Sequence, residues 1–344
     1  PNIDRIAEQS LVCNYAVSAS SWTLPSIASF MSGLPVKVHK CTEMTSIFPD
    51  NLQTIPEYLS ANGYRTAAVV KNVFLENGYN LDNGFQSYDC VVTNSMKSGF
   101  LIYQLIDMLF PRNYLSGYGQ YAPEFLTEKS CRIIEANKEG NLFLWTHYLG
   151  PHIPYYPPPE FYPEGTPPSR IGYCLKDFVD YRIGLEVYPS EEEKNWIRKL
   201  YYAEVAYIDS CIGIYMDKLR DSGIYDRSMI IITADHGEEF WEHNEFEHGH
   251  NMHREVINVP LIIKFPYQKR QIIVDEKVSM LKLAPTILHA CGIEYDENML
   301  QPFVYNNNGG LLLEDDLFEE EIYCDGTLYY DYRKSVIYQD YKFI

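Results

Sequence analysis

Residues 228–239 read SMIIITADHGEE. Met229 to Thr233 are an uninterrupted run of β-formers, the pattern of a strand buried on both faces. Asp235 and His236 therefore fall at the C-terminal end of a strand, where open α/β sheets bind ligands. An adjacent carboxylate and imidazole form an oxygen-plus-nitrogen pair suited to a divalent metal. An imidazole among the ligands favours manganese or zinc over calcium, which prefers all-oxygen sites. The following stretch, EEFWEHNEFEHGHNMH, adds His243, His248, His250 and His253 within one loop. Packing alone does not explain four more imidazoles so close together.

Outward from that strand, apolar runs alternate with helical patterns. LVCNYAVSA (11–19), YRTAAVVK (64–71), NLFLWTHYL (141–149) and NVPLIIKFP (258–266) read as strands, and TIPEYLSANG (54–63) as a helix. Strands separated by helices predict an α/β fold, with a mostly parallel sheet flanked by helices. The clearest helix opens on Ser190, with Glu193 completing a capping box, and stops at Gly223. The Pro- and Tyr-rich segment PHIPYYPPPEFYPEGTPP (151–168) reads as a long ordered loop of the kind that frames a site. VSMLKLAPTILHACGI (278–293) reads as an amphipathic helix, and residues 321–344 as short strands joined by turns. The expected organisation is a main catalytic domain over 1–270, with 271–344 as a small C-terminal part of the same fold carrying short antiparallel strands.

The totals exclude several classes. The 344 residues carry a net charge of −19, which repels polyanions and argues against nucleic acid or an anionic membrane surface as partner. An anionic substrate then needs a local cation. No apolar run is long enough to span a bilayer. Glu314, Asp315 and Asp316, with Glu319 to Glu321, read as a solvated acidic surface. Eight scattered cysteines without CxxC spacing argue against a zinc ribbon or a disulfide framework and lean toward a reducing, cytoplasmic setting.

Two further places carry polar groups suited to chemistry. His147 and His152 in THYLGPHIPY follow another apolar strand, where an imidazole can contact an anion or protonate a leaving group. Thr23 precedes Leu24-Pro25-Ser26 and a short helix. Its local pattern fits an N-cap, but a hydroxyl at a helix N-terminus beside a metal is also placed to attack an ester. The local sequence leaves both readings open.

The segments PNIDRIAEQS, SSWTLPSIASFMSGLPVKVH, TIPEYLSANGYRTAAVV, LFLWTHYLGPHIPYYPP, YAEVAYIDSCIG, IIITADHGEEFWEHNEFEHGH, VINVPLIIKFP, LAPTILHACGI and DYKFI resemble, in order, the successive motifs of the sulfatase family within the alkaline phosphatase superfamily. The resemblance covers nearly the whole chain. It implies a metal-dependent ester hydrolase or transferase with Thr23 as nucleophile and one divalent metal on Asp235, His236 and Thr23. It places His152 on the substrate and His248 where family members put a Lys or His on the transferred group. Lys71 resembles a family lysine near the anion, and His250 is taken as a second substrate contact. A further acidic ligand is expected on a strand upstream of PNIDRI; Asp4 matches the helix instead.

Two positions depart from the family's sulfate-cleaving members. Formylglycine enzymes carry Cys or Ser at the nucleophile position and usually Arg two residues after the Pro, where this chain has Thr23 and Ile27. A threonine does not yield that aldehyde. The pattern therefore resembles the superfamily's phosphodiesterases and phosphoethanolamine or phosphoglycerol transferases, which pass through a phosphothreonine. A phosphate ester is favoured as substrate, on a small sugar- or lipid-linked anion. The rival expectations are an arylsulfatase-like enzyme acting without formylglycine and a catalytically silent binding module.

Overall fold

The computed structural model describes residues 1–91, 123–153, 155, 157–168, 189–306, 310–312, 321–329 and 332–344. The acidic runs at 314–316 and 319–320, and Cys174, lie outside the described residues. The seven described cysteines are free thiols.

The helices are α1 (Asn2–Ala7), α2 (Thr23–Ser32), α3 (Val36–His39), α4 (Ile55–Ala61), α5 (Pro123–Asn137), α6 (Glu191–Asp221), α7 (Arg254–Ile257) and α8 (Leu283–Ala290). The strands that matter for the site are β1 (Leu11–Val17), β2 (Arg65–Val70), β3 (Ser87–Cys90), β4 (Leu142–His147), β5 (Ile230–Thr233), β6 (Glu239–Phe240), β7 (Phe246–Glu247), β8 (Asn258–Lys264) and β9 (Ile272–Ser279). One sheet has the order β5-β8-β1-β9 and a second, wholly parallel one the order β3-β2-β4.

The predicted α/β class holds, but the four-stranded sheet is mixed. β9 runs parallel to β1, while β8 runs antiparallel to both β1 and β5. The cause is local. A parallel return usually runs through a crossover helix packed on the sheet, whereas the segment after β5 holds the β6–β7 hairpin and only the four-residue α7. It therefore re-enters the sheet at the edge where β5 leaves it and runs back as β8. Because β8 opposes both neighbours, the C-terminal ends of β1 and β5 emerge at the same edge.

Helices cover both faces. Ile6 of α1, Ile134 of α5, and Met216 and Leu219 of α6 pack with Ile230 and Ile262 on one side. Leu24, Ile27, Ala28 and Met31 of α2, Ile55 and Leu59 of α4, and Ala284, Ile287 and Leu288 of α8 fill the larger core on the other. Each fully buried aliphatic side chain contributes about 1.5–3 kcal/mol. The predicted start of α6 is present: Glu193 N donates to Ser190 Oγ at 3.3 Å and Ser190 N to Glu193 Oε2 at 2.6 Å. Lys264, at the end of β8, is fully buried. Its Nζ donates to the carbonyls of Tyr225, Asp226, Ser228 and Phe265 at 3.0–3.3 Å, tying the α6–β5 turn to the sheet.

One expectation about the C-terminal part changes. The helix predicted over 278–293 begins at Leu283, because Val278 and Ser279 complete β9 and Ser279 Oγ accepts from Leu281 N to start a tight turn. The expected boundary at 270 falls between β8 and β9, the two strands that flank β1. The short strands predicted near the end form the antiparallel meander β12 (Glu321–Asp325), β13 (Lys334–Tyr338) and β14 (Tyr341–Phe343), which follow the pair β10 (Val304–Asn306) and β11 (Gly310–Leu312). That meander docks on the loop after β1, where Asp325 N donates to Ala19 O at 2.8 Å and Ser20 Oγ to Gly326 O at 2.8 Å.

Candidate active site

The loop after β1 and the segment after β5 meet because both strands end at one edge. Ser18 Oγ donates to Asp235 O and lies 3.0 Å from Ser26 Oγ, and Ser26 Oγ donates to Ser20 O at 3.1 Å. These hydroxyls bind α2 to the strand ends. Pro25 sits in the first turn of α2, where a missing N–H costs nothing. The N-cap position belongs to Trp22, and no side chain caps the helix. The capping reading of Thr23 is thereby corrected: Thr23 is the first helical residue, and its buried Oγ1 lies 3.4 Å from His236 Nε2.

The donors around Thr23 suit a divalent cation. Asp235 Oδ2 is buried without a hydrogen-bond partner and lies 3.6 Å from His236 Nε2. An orphaned buried carboxylate oxygen is costly unless a cation meets it. His236 Nδ1 pairs with Gly237 O at 2.9 Å. A ring donating that proton leaves Nε2 as an acceptor, the arrangement seen in metal-bound imidazoles. Burial raises the Asp235 pKa, but His236, His147 and the Thr23 hydroxyl together bring it below the usual value. The residues present therefore fit a metal at Thr23 Oγ1, Asp235 and His236 Nε2.

Beyond this trio the imidazoles form a row. The rings of His236 and His248 lie 4.0 Å apart, and those of His248 and His152 lie 5.0 Å apart in an edge-on contact. Glu238 Oε1 meets His248 Nδ1 at 2.7 Å, and Tyr155 Oη donates to Glu238 Oε2 at 3.1 Å. Burial pushes the Glu238 carboxyl up. His152 engages Ile153 O through Nδ1, and burial, with His248 beside it, lowers its pKa to about 4. It is neutral at pH 7. His147 is likewise lowered, by burial first and then by His236.

Lys71 follows β2 at the same edge. Val70 pairs with His147, and Lys71 N donates to His147 O at 3.1 Å. Burial lowers the Lys71 pKa to about 8, opposed by Glu204 of α6. His250 stands apart from the row. Its Nδ1 approaches His248 O at 3.3 Å, and its Nε2 faces Glu239 and Glu245. His243 and His253 stack on each other at 3.6 Å beside Glu255.

Thr23, Asp235, His236, His248 and His152 are thus brought together, with Lys71 at the neighbouring strand end. Sequence reasoning missed Glu238 and Tyr155, the supports of His248, and Glu204 beside Lys71. Glu238 was in plain view, two residues past His236. Nothing in the spacing told it apart from Glu239.

A family model described as Sulfatase matches residues 1–293. The chain belongs to the sulfatase family. It is 27% identical over 308 residues to human iduronate 2-sulfatase, covering 77% of this chain and 55% of that enzyme. A sulfatase of Formosa agariphila is 25% identical over 337 residues, covering 86% of this chain and 64% of that one. The chain thus spans about half the length of the human relative and somewhat more of the bacterial one. Among solved structures, BT4656 in complex with its substrate D-glucosamine-2-N,6-O-disulfate superposes with a TM-score of 0.73 at 19% identity, over 99% of this chain and 82% of that one. The phosphonate monoester hydrolase of Silicibacter pomeroyi gives 0.74 at 17% identity, over 95% and 74%. These superpositions establish the sulfatase fold. Among the described residues, no helix is long and apolar enough to cross a membrane.

Proposed function

We propose that this sulfatase-family chain is a metal-dependent ester hydrolase or transferase that accepts a phosphoryl group on Thr23 Oγ1. The observation that carries the reading is the Thr23 hydroxyl, released from any capping role and set 3.4 Å from His236 Nε2 next to the orphaned Asp235 Oδ2. A divalent ion held by Thr23, Asp235 and His236, with manganese or zinc favoured by the imidazole, would supply hydroxyl activation and neutralise developing charge. Thr23 Oγ1, its proton given up to solvent, attacks phosphorus, the bond to the alcohol oxygen breaks, and that oxygen takes a proton from His248, held in orientation by Glu238. His152, neutral with its Nδ1 engaged, offers Nε2 as acceptor for the proton of the water or acceptor alcohol that then breaks the Thr23 ester. Lys71 provides the local cation that a chain of charge −19 needs to bind an anion. His250 has no part in this scheme, since both its ring nitrogens are engaged elsewhere.

A second reading has its own support. The likeness to iduronate 2-sulfatase extends over 308 residues, which favours a sulfate ester on a sugar, cleaved with Thr23 in place of an aldehyde. Rates on nitrophenyl phosphate, bis-nitrophenyl phosphate and nitrophenyl sulfate, measured with manganese or zinc present, separate the two. Phosphorus-labelled diester should leave label on the Thr23 peptide after an acid quench. Turnover of the sulfate alone, with no label on Thr23, would sink the phosphoryl assignment.

A further inference from the structure

A second group of ligand-type side chains lies next to the imidazole row. Glu239 of β6, Glu245 and His250 each bring one donor atom to within 4.8 Å of the others. His250 Nε2 is 3.1 Å from Glu245 Oε2 and 3.4 Å from Glu239 Oε2. A tetrahedral zinc with bonds of about 2.0–2.1 Å sets neighbouring ligand atoms about 3.3 Å apart. The spacing already matches the edges of such a shell.

Charge gives an independent reason for a cation here. Two carboxylates face a single imidazole, and among the described residues no lysine or arginine forms an ion pair with either. Glu239 is fully buried and His250 nearly so, while the Glu245 side chain is 40% exposed and opens a path to solvent. Burial works against ionising Glu239. Hydrogen bonds from His250, Asn251 and the N–H groups of His243 and Glu245 nevertheless hold its pKa down to about 2. The carboxylates are already oriented from behind. Glu239 Oε1 accepts from His243 N at 2.8 Å and Glu245 N at 3.2 Å, and Asn251 Nδ2 reaches Oε2 of both Glu239 and Glu245. Supporting contacts of this kind are what fix metal-ligating carboxylates.

We propose that Glu239, Glu245 and His250 hold a zinc ion, with water in the fourth position, at a site separate from Thr23, Asp235 and His236. The ion cross-links the β6–β7 hairpin to the turn after it. His248 lies on that turn, two residues before His250, so the ion also steadies the ring that Glu238 orients.

The test is metal stoichiometry on the full chain, stripped with a chelator and titrated with zinc, with circular dichroism confirming the fold of each variant. The native chain should bind two equivalents. Asp235→Asn should lose one and keep the hairpin equivalent. Glu245→Gln, which changes a partly exposed side chain, and His250→Ala should each lose the other. Cobalt substituted for zinc should give tetrahedral visible absorption that His250→Ala removes and Asp235→Asn retains. Retention of two equivalents by both hairpin variants would overturn the proposal. A native chain whose single equivalent is lost in Asp235→Asn but kept in both hairpin variants would overturn it too, leaving the His250 ring itself as the link between the two carboxylates. A native chain with one equivalent that survives Asp235→Asn and is lost in the hairpin variants would uphold this site while removing metal from the Thr23 reading.

Discussion

Glu238 and Glu239 are adjacent in the chain, yet each joins a different histidine in a different cluster. Glu238 turns to His248 and into the row that leads through His236 to Thr23; Glu239 turns to His250 and Glu245 in the hairpin. Consecutive residues of an extended segment point to opposite faces, so one dipeptide serves both clusters. The two differ in what they leave unsatisfied. The strand-end cluster retains an orphaned carboxylate oxygen on Asp235, whereas both carboxylate oxygens of Glu239 are engaged by neighbours of the hairpin. An unsatisfied buried group in a native structure asks for a ligand or a reaction. A fully braced one asks for anchorage.

That contrast breaks most sharply at Thr23. On the proposed phosphoryl transfer, Thr23→Ala should lower turnover by at least about 10⁴-fold, because among the described residues Thr23 Oγ1 is the hydroxyl that pairs with His236 Nε2. The thermal midpoint should hold, since Trp22 rather than Thr23 occupies the cap position. Zinc binding at the hairpin should be untouched. Near-normal turnover in the alanine variant would refute the nucleophile and return the strand-end cluster to a binding role.

Glu238→Gln gives the next largest effect. Removing the carboxylate that fixes His248 Nδ1 should reduce kcat roughly 10- to 100-fold with KM little changed. A positioning role predicts strong coupling: the double variant Glu238→Gln with His248→Gln should be no slower than His248→Gln alone. Additive losses in that cycle would show that Glu238 acts by another route.

Much of this arrangement was legible beforehand, for identifiable reasons. The strand before Asp235 and the capping box at Ser190 are signals that neighbouring residues carry by themselves, and both appear where expected. Strand direction is not such a signal. β8 runs antiparallel because the segment joining it to β5 forms a hairpin and one short helix rather than a crossover helix, and β9 is hard to read because its middle residues, Asp275 and Glu276, are exposed and interrupt the apolar pattern. At the site, the residue types of Asp235, His236 and His248 were sufficient to nominate them. The surroundings of Thr23 and His250 were not legible, because a hydroxyl reads as a cap and an imidazole as a substrate contact until the partners, His236 for one and Glu239 and Glu245 for the other, are placed. Glu238 and Glu239 differ only in which way each side chain leaves the backbone.

The gentlest test of the comparison is pH. Lys71, with a pKa lowered by burial to about 8, carries its charge below that value and loses it above. As its folded pKa lies below the ordinary lysine value of 10.5, the unfolded chain binds more protons between the two. The free protein should therefore gain stability as pH rises from about 8 toward 10.5. Affinity for an anionic ester should move the other way, KM rising roughly tenfold past pH 8 as the charged contact is lost. Lys71→Gln should flatten both curves. The hairpin should show the reverse preference, because its ligands bind metal only when deprotonated and zinc occupancy there falls toward acid pH. Steady-state KM and zinc affinity across one pH series read the two regions side by side. A KM that is level through pH 8 in the native chain would remove Lys71 from the substrate without disturbing the hairpin.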